Sequence, residues 1–289
     1  MTGEWPSVSY GEWSATCDTL HAHTQVLGKL AVALAPAEPR LAHAALLLRA
    51  RGWETRPLPA PDGSGALVVA LDLCAHEAVA EHSNGSRRRI ALGGDRAVGE
   101  VTRELLSAVR SLAGDVQIDP TPQEVPWSVP LDEDTEHHTY EQEHVTRYFA
   151  AATRASLVLA ALRAPYRGCS TPVSAWWGSF DLAVSLFGAD EEQELALGWW
   201  PGDPRHEEAA FYAYARPAQE AFAASAAALA PARWDSELGE YLLDWKDVRG
   251  SAHPHALALD FARSVFAHAC DAGSWDPALR ASIAGTPPA

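Results

Sequence analysis

Lysine is almost missing from this chain. Lys29 and Lys246 stand against twenty arginines, and Met1 is the single methionine. The 22 basic residues are outnumbered by 38 acidic ones, which leaves a formal net charge of −16. That balance argues against nucleic acid as a partner, because a basic patch is the footprint of such binding. It also disfavours an anionic membrane surface. Cysteine is scarce too. Cys17, Cys74, Cys169 and Cys270 are far apart and form no C-x-x-C, so the usual zinc and redox spacings are absent. Buried free thiols in a reducing cytoplasm are the plain expectation. No apolar run approaches the roughly 20 residues of a membrane span. No signal-peptide pattern opens the chain, since Trp5, Pro6 and polar residues interrupt its start. A cytoplasmic location is therefore expected.

Several catalytic signatures are missing as well. There is no G-x-G-x-x-G after a strand, no G-x-x-x-x-G-K, no H-E-x-x-H and no G-x-S-x-G. Phosphate cradling, zincin chemistry and the usual hydrolase elbow lack support, and no cofactor is expected.

What the chain does have is apolar mass, 47% of its 289 residues, enough for a sizeable core. It also has periodicity. Trp13, Cys17, Leu20, Thr24, Leu27, Ala31 and Leu34 recur at three- and four-residue steps and predict a helix over 10–34 with one buried stripe. Strand patterns follow at 46–53, 66–73 and 88–92, with Asp62-Gly63 and Asn84-Gly85 as turn pairs. A helix is expected over 98–112, and a short strand at 116–118. The order then recurs: a helix over 141–162, strands at 175–187, 194–200, 211–216 and 241–245, and a helix over 256–269. Both leading helices run into an Ala-Pro pair, Ala35-Pro36 and Ala164-Pro165. The pattern predicts an α+β fold of two similar helix–antiparallel strands–helix units, a possible duplication. The expected division is a first half over 1–118, a Pro-rich acidic connector over 119–139 and a second half over 140–289. The Ala-rich stretch 218–232 reads as a short helix or loop, and the tail after Ser282 as frayed.

Candidate chemistry falls in three places. On the first helix His21, Gln25 and Lys29 lie four apart and share a face. They make either a solvated edge or one wall of a polar cavity. On the strand 175–187, alternation puts Trp177, Ser179 and Asp181 opposite the core face. Glu194, Trp200, Tyr212, Tyr214 and Arg216 on the following strands would extend that face. Rings supply contact area and a few polar groups fix orientation, which suits a small organic ligand. The run 132–144 mixes acids with His137, His138 and His144. It reads as a solvated linker whose acids suit a helix N-terminus, or as a metal site.

The segment Trp177 to Val184, Trp-Gly-Ser-Phe-Asp-Leu-Ala-Val, carries a family likeness. So do Thr19-Leu20-His21 with Gln25 and Gly28-Lys29, Trp200-Pro201-Gly202, Ala210-Phe211-Tyr212 and Leu238-Gly239-Glu240. The chain resembles a bacterial family, common in actinobacteria, classed as a domain of unknown function. The resemblance implies that family's fold and brings no activity with it. It also implies divergence. Members carry an Asn-His-Trp-Trp-His run where this chain has Pro39 to His43, and a His where Ser174 stands. A family histidine cluster is thus largely dismantled here, leaving a more apolar cavity.

These features lead to a cofactor-independent enzyme of specialised metabolism as the first expectation, of cyclase, isomerase or lyase type. It would act on an apolar or aromatic small molecule. His21, Asp181 and Glu194 are the candidate catalytic groups. Gln25, Lys29, Trp177, Ser179, Trp200, Tyr212, Tyr214 and Arg216 are the candidate binding residues, and no metal site is assigned. Two alternatives stand beside it. One is a non-catalytic binding or accessory protein. The other is a metal-dependent enzyme using His21, His43 and His137. The oligomeric state is not legible.

Overall fold

The computed structural model describes residues 5–224 and 231–284. The fold is α+β, with two antiparallel sheets. The chain runs through α1 (Tyr10–Leu34), a 3-10 turn at Pro39–Leu41, then β1 (Leu47–Arg49), β2 (Gly52–Glu54), β3 (Leu58–Pro59), β4 (Ala66–Asp72), β5 (Glu77–His82), β6 (Arg87–Ala91) and α2 (Val98–Ala113). The same order follows again. It comprises α3 (Gln142–Arg163), β7 (Ser174–Trp176), β8 (Asp181–Phe187), β9 (Glu194–Trp200), β10 (Ala210–Arg216), α4 (Glu220–Ala223), β11 (Arg233–Asp235), β12 (Glu240–Asp244), α5 (Trp245–Gly250), α6 (Pro254–Gly273) and α7 (Pro277–Ala284). Helices α1 and α3 each stop one residue before an Ala-Pro pair, as a proline that can neither donate nor continue the helix requires. Among the described residues no helix is long and apolar enough to cross a membrane.

Two compact units divide the chain. The first comprises Gly11–Phe149 and Ser174–Phe180. The second comprises the described residues of Met1–Tyr10, Ala150–Val173 and Asp181–Ala289.

In the first unit the sheet order is β1-β2-β4-β5-β6, with β3 paired to β4. Burial alternates along β4, where Leu67, Val69 and Leu71 point inward. Their partners on β5 are His82, Ala80 and Ala78. Helix α2 packs on β4, β5 and β6, and its stripe of Val98, Val101, Leu105 and Val109 is buried. Helix α1 differs from its expected form. It is buried without a break from Thr19 to Ala31, so no face of that stretch is solvated. The reason is that its polar side is covered within the same unit. Backbone from residues 123 and 177–178 bonds to its side chains.

In the second unit the strands lie in the order β11-β12-β10-β9-β8. Pairing aligns Leu182, Trp199, Phe211 and Leu243 in one row, and Val184, Leu197, Ala213 and Tyr241 in the next. All eight are buried. Helix α6 packs on β9, β10 and β12.

Four expectations need correction. The run 175–187 is not one strand: β7 ends at Trp176, Trp177–Phe180 form a turn, and β8 begins at Asp181. Phe180 sits in the left-handed region at φ 56°, which ends any strand pairing there. The run 46–53 is a hairpin, β1 and β2, turned at Ala50-Arg51. Residues 116–118 form no strand. The fourth concerns the cysteines: all four are free, but only Cys17 and Cys270 are buried. Of the Ala-rich stretch, α4 is helical, and 225–230 lie outside the described residues. Helix α7 extends through Ala284, and residues 285–289 lie outside the described residues.

Candidate functional site

Period-two geometry gives the second sheet one polar face. The register Phe187–Glu194–Arg216, Ser185–Ala196–Tyr214 and Ala183–Gly198–Tyr212 puts all of these on the same side. Asp181 and Trp200 continue that side by alternation. Six of the residues singled out from sequence are therefore together: Asp181, Glu194, Trp200, Tyr212, Tyr214 and Arg216. The sheet alternates so strictly because each of these strands carries apolar residues at every second position.

The contacts on this face are specific. Gly198 leaves room for the ring of Tyr212, since a Cβ there would fall 2.2 Å from the ring carbon that bears the hydroxyl. The Tyr212 hydroxyl donates to the Asp181 carboxylate. Trp200 meets Tyr212 edge-on at 5.7 Å, and Tyr214 lies parallel to Tyr212 at 6.2 Å. The Arg216 guanidinium sits 4.9 Å over Tyr214. Ser185 donates to Glu194 at 2.5 Å, so that carboxylate already has a partner.

Glu240, at the start of β12, is the residue that sequence reasoning missed. It belongs to the same face, one alternation before Leu242, which pairs with Tyr212. Burial, and then the negative charge of Asp181, push its carboxyl up to about 7, against the pull of Arg205 and Arg216. Tyr212 and Tyr214 are raised as well, chiefly by burial, so both hydroxyls keep their protons at neutral pH. The available signal for Glu240 was the Leu238-Gly239-Glu240 motif of the family likeness. Asp244, further along β12, is different. His206 at 3.1 Å, Arg233 at 3.0 Å and Lys246 at 3.5 Å surround it, which makes it a tie between elements.

The first unit holds the other five. The Nε2–H of His21 donates to the carbonyls of Trp177 and Gly178, at 2.8 and 3.1 Å. That fixes the tautomer. The carboxamide nitrogen of Gln25 lies 3.3 Å from the same ring nitrogen, but this sets donor against donor and carries no bond. The His21 ring stacks on Phe180 at 4.8 Å and meets Trp127 edge-on at 5.3 Å. Burial lowers its pKa to about 4, so His21 is neutral. Gln25 bonds both ways to the backbone of Gln123, each bond 2.9 Å. Lys29 lies 3.8 Å from Asp119 and 5.5 Å over the Trp177 ring. Trp177 donates its indole N–H to the Ala44 carbonyl at 3.1 Å and fills the space that Gly28 leaves open. Ser179 is exposed in the turn. His21, Gln25, Lys29 and Trp177 thus form one packed set whose polar atoms largely serve each other and the backbone.

The three histidines of the metal alternative each have their own setting. The Nδ1 of His43 accepts the Glu38 N–H at 3.1 Å, and His137 pairs with Asp134 at 2.7 Å. Among the described residues no three His, Cys, Asp or Glu side chains are grouped to hold a metal ion. A cleft of about 520 Å³ is lined by α6 and α7 residues, including Arg263, Phe266, Arg280 and Ile283. Among the described residues its lining holds no carboxylate and no histidine.

The sequence model of a family of unknown function, DUF5996, matches residues 5–195 and 188–282. The chain belongs to DUF5996. The DUF5996 matches take in both units and every residue of the polar sheet face. No curated protein and no solved structure matches the chain.

Proposed function

We propose that the polar face of the second sheet is the active site of a cofactor-independent enzyme that moves protons on a small apolar or aromatic molecule. Isomerisation or cyclisation is the chemistry that fits. The observation that carries this reading is the set of two carboxyl groups, Asp181 and Glu240, on one aromatic-lined face. They differ in setting. Asp181 accepts the Tyr212 hydroxyl. Glu240 titrates near 7, so at neutral pH it can both give and take a proton. Two carboxyls in such different settings on one face suit an acid–base pair. Trp200 and Tyr214 supply flat apolar contact, and Arg216 can oppose negative charge developing on a substrate oxygen. Glu240 replaces Glu194 in the catalytic role, because Glu194 is engaged by Ser185. His21, packed within the first unit, is given no part in this reading.

The test has two parts. Carboxyl-carbon NMR should show Glu240 titrating near neutrality, and a panel of bicyclic aromatic ketones and phenols should shift the Trp200 and Tyr214 ring signals. For any panel member that the protein isomerises or exchanges with deuterium, Glu240→Gln should lower the rate roughly 100-fold or more. A Glu240 that titrates as an ordinary exposed glutamate, with no ring shifts from any compound, would sink the proposal. Binding with no dependence of any reaction on Glu240 would favour a non-catalytic binding protein.

A further inference from the structure

The segment 131–141 behaves unlike the solvated linker its acids suggest. Asp134 is 2% exposed. Its Oδ1 accepts the backbone N–H groups of Glu136 and His137 at 2.8 and 3.0 Å, and its Oδ2 accepts the His137 Nδ1–H at 2.7 Å. The loop itself is fastened to the start of α2. Val98 N–H donates to the His137 carbonyl at 2.9 Å and Gly99 N–H to the Asp134 carbonyl at 2.8 Å. These are first-turn donors that a helix leaves unpaired. Gly99 makes the approach possible, because a Cβ there would lie 2.8 Å from the Asp134 carbonyl oxygen. The loop backbone and the carboxylate are thus set before any ligand arrives.

This leaves two imidazole nitrogens unused. With Nδ1 donating to Asp134, the Nε2 of neutral His137 is an acceptor, and it has no hydrogen-bond partner among the described residues. Its ring lies 4.4 Å from Trp127, which forms an apolar wall. The second is the Nε2 of His23, on α1. His23 is 2% exposed, and its Nε2 has no partner among the described residues. A buried polar atom left open in this way calls for a water or a ligand atom. Thr16, two turns before His23 and so on the same face of α1, accepts the Glu141 N–H at 3.1 Å, which lays the 131–141 segment along the face that carries His23.

We propose that Asp134, His137 and His23 form a second acid–base site, in the first unit, that takes a small ligand bearing a water-like O–H group. Asp134 orients His137, and His137 Nε2 removes the proton. His23 bonds the same ligand. The acid–base logic is that of a carboxylate-oriented imidazole. The proposal goes beyond the sheet-face reading and uses none of its residues.

Hydrolysis of p-nitrophenyl acetate tests it. Water attacks the ester carbonyl while its proton passes to His137 Nε2. The nitrophenolate leaves with the bonding electron pair, acetic acid forms and loses the second water proton to solvent, and His137 returns the first. His137→Gln should lower the protein-dependent rate roughly 100-fold, whereas His255→Gln, at an exposed position, should leave it unchanged. Asp134→Asn should lower the rate and move its pH midpoint down, because the Asp134 bond and charge hold the His137 pKa above its ordinary value against burial. Equal rates in wild type and His137→Gln would overturn the proposal. If that variant fails to fold, nitrogen NMR of the intact protein decides. A neutral His137 protonated on Nδ1, with Nε2 shifted by added acetohydroxamic acid, supports it. Protonation on Nε2, or no shift, overturns it.

Discussion

The carboxamide of Gln25 pairs with the backbone of Gln123 as one strand residue pairs with another, donating to its carbonyl and accepting its N–H, both at 2.9 Å. Gln25 lies on a fully buried stretch of α1. Gln25→Ala would remove two bonds and leave two backbone groups short of partners. The expected cost is about 2–3 kcal/mol, read as a lower urea midpoint with an unchanged slope. Gln25→Glu should restore part of this only in acid, where the protonated side chain can both donate and accept. A Gln25→Ala variant as stable as the wild type would mean that this pairing contributes nothing.

Two glycines exist to admit rings. A Cβ at Gly28 would lie 2.1 Å from the Trp177 indole, and one at Gly198 would lie 2.2 Å from Tyr212. Both Gly→Ala changes overpack, at about 1–3 kcal/mol each. Their effects should differ in kind. Gly28→Ala should weaken stability with little effect on the sheet-face site. Gly198→Ala should also part the Tyr212 hydroxyl from Asp181, which faster exchange of that hydroxyl proton would reveal by NMR.

Acid should destabilise the protein through buried histidines. His21 and His23 are held neutral by burial, with pKa values lowered from 6.5 to about 4. The unfolded chain binds these protons first. The stability they permit is therefore complete above pH 6.5 and falls as pH drops from there to about 4, by about 3 kcal/mol per imidazole. Glu240 acts in the opposite sense. Its folded pKa is raised from 4.5 to about 7, so its contribution falls as pH rises through that interval. Urea titrations at pH 5 and 7 should show His23→Gln flattening the acid loss and Glu240→Gln removing the loss toward neutrality. Unchanged pH profiles in both variants would contradict this account.

Thiol reactivity should divide the cysteines two against two. Cys74 and Cys169 are exposed. Cys17 is buried, and burial together with Asp18 raises its pKa well above the ordinary value. Burial pushes Cys270 up to about 12. A disulfide reagent at pH 8 should therefore label two thiols in the native protein and four after unfolding. Four fast thiols in the native state would show that both α1 and α6 open readily.

Much of the fold was legible because burial writes a period into the chain. Helix α1, with its Ala-Pro stop, and strand β9, with its strict alternation, fall where the pattern puts them. Three things were not legible. Strand β5 reads Glu-Ala-Val-Ala-Glu-His, and its inward residues are Ala78, Ala80 and His82, too small or polar to register as a buried face. The turn at Trp177–Phe180 is rich in apolar residues, and alternation alone cannot distinguish it from a strand. The acids of 132–136 looked solvated, yet Asp134 is buried because its acceptors meet three N–H groups, two from the backbone and one from His137. The candidate face followed the same rule. Its strand residues were found from alternation, whereas Glu240, at the first position of a short strand, had too little pattern around it.

The way the chain weaves between its units has a consequence for synthesis. Ser174–Phe180 belong to the unit formed otherwise by Gly11–Phe149. Until residue 180 has left the ribosome, the Nε2–H of His21 lacks its two carbonyl acceptors and the notch at Gly28 lacks its indole. The nascent first unit must wait for a short peptide made later. A fragment ending at residue 149 should accordingly bind a synthetic peptide spanning 174–180 in trans, as though the protein carried its own ligand.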